Sequence, residues 1–146
     1  MIGKILVAVD GSERALGVLS AADELAARFD AGLALLRVIV IPPEFPAAGA
    51  HGALADALPD LMMRQAMHDL EGLIAQVPRA RSARLLVEMG QPWRMILDAA
   101  QHQRADLIVL GSHGYGGIDR LIGTTAGKVA DRADRNVFIV HTRGGE

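Results

Sequence analysis

The feature that most constrains this chain is a short run of aliphatic and β-branched residues, Lys4 to Val9, that ends abruptly in Asp10-Gly11-Ser12-Glu13. The run lacks polar alternation, so a strand made from it must be buried on both faces, as strands of a covered parallel sheet are. The period then changes. Leu16, Leu19, Ala22, Leu25, Ala26 and Phe29 recur at helical spacing, Ala31-Gly32 closes that helix, and Leu33 to Val40 supplies a second buried strand broken only by Arg37. This is a βαβ unit. Leu54, Leu58, Met62, Ala66, Leu70, Leu73 and Val77 mark a long helix with Pro59 near its first turn, and Arg84 to Met89 is a third strand. Gly90-Gln91-Pro92 then turns into a helix bearing Ile96, Leu97 and Ala100. Asp106 to Leu110 is a fourth strand, followed by a helix through about Arg132 and a last strand, Val137 to Val140. Strands alternating with helices predict an α/β, doubly wound parallel sheet with right-handed crossovers, whose ligand crevice lies beyond the carboxyl ends of the strands. Ile41 to about Leu54, with Pro42, Pro43, Pro46, Gly49 and Gly52, is expected to be the longest flexible segment.

A chain of 146 residues suits one domain, residues 1–146, and its 51% hydrophobic content is enough to offset the entropy of folding. Fifteen basic residues against seventeen acidic ones are too balanced for a surface that neutralises nucleic-acid phosphates, and 3% aromatics leave few rings on which bases could stack. No nucleic-acid partner is expected. The absence of cysteine excludes disulfides, thiolate catalysis and cysteine-ligated metal centres. No apolar run approaches the roughly 18 residues of a membrane span, and the N-terminus reaches a charge too early for a signal peptide. A cytoplasmic protein without a membrane partner is the expectation.

The chemistry-bearing stretch is Gly111-Ser-His-Gly114-Tyr-Gly116-Gly117-Ile-Asp-Arg-Leu-Ile-Gly123-Thr124-Thr125, which leaves one buried strand and opens a helix. Glycines let backbone amides approach a ligand closely, and a helix N-terminus adds unpaired N–H donors with partial positive charge, so a phosphate cradle is physically sensible here. Neither the G-x-x-x-x-G-K-S/T phosphate loop nor a G-x-G-x-x-G dinucleotide turn is present.

Val9-Asp10-Gly11-Ser12, Gly90-x-Pro92, and Gly-Ser-His-Gly followed by Gly-Thr together resemble the universal stress protein family, in order and over essentially the whole chain. The resemblance implies a five-stranded sheet of order 3-2-1-4-5 with helices on both faces, and a G-x2-G-x9-G-S/T motif for ATP in nucleotide-binding members. Here eight residues, Tyr115 to Ile122, separate Gly114 from Gly123 where that motif has nine. By the same resemblance, Asp10 lies near adenine and ribose, the backbone of Val38 reads the adenine edge, and Gly111, Gly114, Gly123, Thr124 and Thr125 contact ribose and phosphates. Magnesium would be held mainly by the phosphates. Purely structural roles stand beside these: Asp10 as a helix cap with Glu13 as capping-box partner, and Thr124 or Thr125 as the N-cap of the fourth helix.

The five histidines, His51, His68, His102, His113 and His141, are scattered without ligand spacing, so no metal site is expected. Ser12 has no nucleophile-elbow context, and Arg120 could meet either a phosphate or a neighbouring carboxylate. No residue stands out as a base for water, so any ATP hydrolysis is expected to be slow. Three functions are weighed: an ATP-binding stress-response module working by nucleotide-dependent conformational change; a nucleotide-free dimeric regulator working through protein contacts, which the eight-residue gap favours; and, with least support, an adenylate-transferring enzyme on a similar fold, for which neither an S-G-G-x-D-S-like loop nor a H-I-G-H-like motif is present. The apolar last strand would be hazardous as a bare edge, and the resemblance implies a homodimer that pairs Val137–Val140 with itself.

Overall fold

The computed structural model describes residues 1–40, 53–112 and 124–141. In chain order these form β1 (Lys4–Val9), α1 (Ala15–Phe29), β2 (Gly32–Ile39), α2 (Ala53–Ala75), a 3-10 turn (Pro78–Ser82), β3 (Arg84–Met89), α3 (Pro92–His102), β4 (Leu107–Gly111), α4 (Thr125–Arg132) and β5 (Asn136–Val140). The strands make one sheet of order β3-β2-β1-β4-β5, and every neighbouring pair is parallel. Val7 sits between Leu35 and Val109 in the register, so β1 is the middle of the molecule.

The missing polar alternation has a direct cause. Ile5, Val7 and Val9 pack with Leu19, Ala22 and Leu70 on the face covered by α1 and α2, while Leu6 and Ala8 pack with Ile96, Ala100, Ala126 and Val129 on the face covered by α3 and α4. Successive side chains therefore enter two different cores. Each fully buried leucine or isoleucine contributes roughly 1.5–3 kcal/mol of transfer free energy.

Three local expectations differ from the fold. The capping box on Glu13 does not form: α1 starts at Ala15, with Arg14 at its N-cap and no side-chain cap. Asp10 instead closes its own turn, because its Oδ1 accepts from the amide and hydroxyl of Ser12 at 2.9 and 2.6 Å, and Ser12 Oγ accepts from the Arg14 amide at 3.2 Å. A short polar side chain reaches a backbone donor two residues on more readily than a helix end farther away. At its other end α1 stops at Asp30, in the left-handed region at φ 54° and ψ 47°, rather than at Ala31-Gly32. Pro59 lies inside α2 and not near its first turn. Six residues of helix precede it, Ala53 to Leu58, all but one of them alanine or leucine, which are strong helix formers, so the helix begins before the proline that removes one of its backbone bonds. Residues 41–52 of the expected flexible segment lie outside the described residues, and α2 already begins at Ala53.

Candidate functional site

The crevice follows from connectivity. β1 and β4 are neighbours, with Ala8 opposite Leu110, yet the chain leaves β1 for α1 on one face and continues from β4 to α4 on the other. Chains that diverge from adjacent parallel strands leave a gap beyond the carboxyl ends. The gap is deepened by β2: its pairing with β1 ends at Val9 and Arg37, whereas its pairing with β3 continues through Val38–Glu88 to Ile39–Met89. Thus β2 runs two residues past its neighbour β1.

Asp10 follows the end of β1, half-buried and engaged with Ser12. Gly11 sits beneath the flexible end of the Arg37 side chain. A Cβ there would stand 2.7 Å from Nη2 of Arg37, whose side chain lies across the turn, 22% exposed, with Asp69 of α2 4.0 Å away. Val38 is 2% exposed, with its side chain in the α3/α4 core, so only its backbone could read a ligand.

Gly111 ends β4 opposite Val140, and a Cβ on it would lie 3.0 Å from Cγ2 of Val18, so α1 packs directly onto this strand end. Ser112 is buried and donates its amide to the Val140 carbonyl at 2.9 Å. Gly114 and Gly123, and with them His113 and Arg120, lie outside the described residues. Thr124 is the N-cap of α4, buried, with Oγ1 accepting from the Gly127 amide at 3.1 Å. Such a cap contributes about 1 kcal/mol. Thr125, half-buried, is the first helical residue. The fold thus brings Asp10, Gly111, Thr124 and Thr125 to the carboxyl side of the sheet around β1 and β4, with the Val38 backbone beside them.

One residue of this region has no motif to announce it. Nε of Arg14, at the head of α1, is buried and has no hydrogen-bond partner among the described residues. A buried unpaired donor costs about 1–3 kcal/mol, more when charged. The signal in the sequence is positional only: Arg14 continues, one turn earlier, the buried helical row of Val18 and Ala22.

Elsewhere the polar groups close on each other. A groove of about 740 Å³ between α1 and the segment that follows α2, lined by Ser20, Asp23, Gln76 and Arg79 among others, carries an ion pair on its wall, Arg79 to the buried Asp23 at 2.7 Å. The carboxyl of Asp106 is held below the usual carboxylate range by the amides of Gly3 and Lys4, 2.8 and 3.0 Å away. Asp134 is held low by its hydrogen bond and charge pairing with Arg135. Among the described residues no cluster of three or more His, Asp or Glu could hold a metal ion, and no helix is long and apolar enough to cross a membrane.

Known proteins share this fold. The model of the universal stress protein family matches residues 1–141. Universal stress protein A homolog 2 of Coxiella burnetii is 32% identical over 144 residues, covering 97% of this chain and 96% of its own. The UspA universal stress protein structure from Lactobacillus plantarum superposes with a TM-score of 0.73 at 30% identity, over 95% of this chain and 97% of that one. A universal stress protein crystallised in complex with cAMP superposes with a TM-score of 0.65 at 26% identity, over 97% of this chain and 98% of that one.

Proposed function

Because the chain belongs to the universal stress protein family, we propose that it is an adenine-nucleotide-binding regulatory module that takes ATP in the crevice between β1 and β4. The observation that carries this reading is the divergence of the chain beyond adjacent strands β1 and β4, with β2 running on past them, since it leaves backbone and small side chains around an open cleft. A relative with cAMP bound supports an adenine nucleotide as the ligand class. Asp10 would face the base and ribose, the Val38 backbone the adenine edge, and Gly111, Gly114, Gly123, Thr124 and Thr125 the ribose and phosphates. The orphaned Nε of Arg14 fits an anionic ligand. α4 points its N-terminus to the same side, where its dipole favours phosphate. Magnesium, held mainly by the phosphates, would neutralise their charge.

Occupancy of the cleft changes what the surface presents to partners, in the cytoplasm and as one domain. The assembly we propose is a homodimer through Val137–Val140. β5 is an edge strand and leaves Phe138 43% exposed, and a two-fold axis would pair it antiparallel with its copy. A nucleotide-free dimer acting through protein contacts is the second reading, favoured by the eight residues between Gly114 and Gly123. Calorimetric titration of nucleotide-stripped protein with Mg-ATP separates them. We expect saturable heat that Gly123→Val abolishes. Absence of heat, together with no thermal shift where about 100 times a dissociation constant should add about 2.7 kcal/mol, leaves the second reading standing.

A further inference from the structure

We propose that Arg14 is the cation that receives the nucleotide's phosphates, and so makes this site select phosphorylated nucleotides over nucleosides; the inference rests on the nucleotide reading above. Val18 touches the place where Gly111 has no side chain, at 3.0 Å, which fixes the face of α1 that meets the end of β4. Arg14 is four residues earlier, its carbonyl accepting from the Val18 amide at 3.2 Å, so it stands one turn nearer the crevice on that same face. Helical side chains lean toward the N-terminus, which carries this one beyond Gly111 and Ser112, where the connection to α4 begins. Its Nε is buried yet unpartnered, and none of the ion pairs among the described residues includes it.

Arg37, which lies at the same end of the sheet, already has Asp69 at 4.0 Å. Arg14 therefore carries a shielded Nε with no acceptor among the described residues, at the end of α1 that borders the cleft. Phosphate oxygens accept from a guanidinium fork more strongly than any neutral group does. In a chain whose glycine spacing is one residue short of the family's ATP motif, a side-chain cation offers the phosphates a second hold.

The test titrates wild type, Arg14→Met and Arg14→Lys with ATP, AMP, adenosine and inorganic tripolyphosphate, and records the melting temperature of each ligand-free protein. Arg14→Met should weaken ATP and tripolyphosphate by about tenfold or more and leave adenosine unchanged, while Arg14→Lys keeps most of the affinity. Ligand-free Arg14→Met should melt at or above wild type, because methionine removes the unpaired donor and keeps the packing. ATP affinity equal to wild type in Arg14→Met overturns the proposal, as does a parallel loss of adenosine and of melting temperature, which would make the residue structural. Wild type that binds none of the four ligands removes the nucleotide reading and this inference together. Wild type that binds tripolyphosphate through Arg14 but neither AMP nor adenosine keeps the inference and removes the adenine reading.

Discussion

The two ends of the sheet treat their polar groups differently. At the amino end they are closed: Asp106 accepts from the Gly3 and Lys4 amides, Arg135 Nη1 donates to the carbonyls of Ala100 and Ala105 at 2.8 and 2.9 Å, and buried Asp23 holds Arg79. At the carboxyl end the turns also close on themselves, through Asp10 with Ser12 and Thr124 with Gly127, but the arginines are less satisfied: Arg14 Nε has no partner among the described residues, Arg37 has a carboxylate only at 4.0 Å, and the chain diverges from β1 and β4. A fold stabilises itself where its polar groups satisfy one another. It recognises something else where they are left to be satisfied.

If that contrast is right, changes at the closed end should alter stability and leave nucleotide affinity alone. The largest effect sets the scale: Leu19→Ala, in the core that joins both ends, should cost about 2–5 kcal/mol in chemical denaturation. Arg135→Met strips the carbonyls of Ala100 and Ala105 of their side-chain donor and should cost about 1–3 kcal/mol, with ATP affinity unchanged by calorimetry. A coupled loss of affinity would erase the distinction between the ends.

A pH dependence tests the same boundary. The folded state lowers the Asp106 pKa through the Gly3 and Lys4 amides, so its stabilising contribution is present above the unfolded carboxylate value and is lost as pH falls through the lower folded one. Melting temperature should fall in that acid window, and Asp106→Asn should flatten the fall while ATP binding at neutral pH stays as in wild type. The smallest change is Asp69→Asn. It removes an ion pair at 4.0 Å to a half-exposed carboxylate and should shift stability by less than about 1 kcal/mol.

Legibility divides along similar lines. β3 spans Arg84–Met89 as its run of residues predicts, and Pro92 opens α3 as the Gly90-Gln91-Pro92 turn predicts. Thr124 caps α4, one of the two roles its position allowed. Asp10 reads in the sequence as a helix cap with Glu13, yet it closes a turn on Ser12, since a short carboxylate reaches the nearer donor first. The 3-10 turn Pro78–Ser82 carries no periodic signal; it is held by Arg79 reaching Asp23 and by the burial of Ala80.

What the sequence by itself determined are quantities local in the chain: strand and helix identity from the switch between apolar runs and helical spacing, the Pro92 entry to α3, and family membership from motifs spread in order along its length. What only the tertiary structure decided are meetings between distant residues. Val18 against Gly111 positions Arg14, the Arg37 side chain lies across the Gly11 turn, and the unequal pairing of β2 with β1 and β3 opens the cleft. Periodicity reports which face a residue takes on its own element, but which atoms it then meets depends on how separate elements pack, and no spacing within the chain encodes that contact.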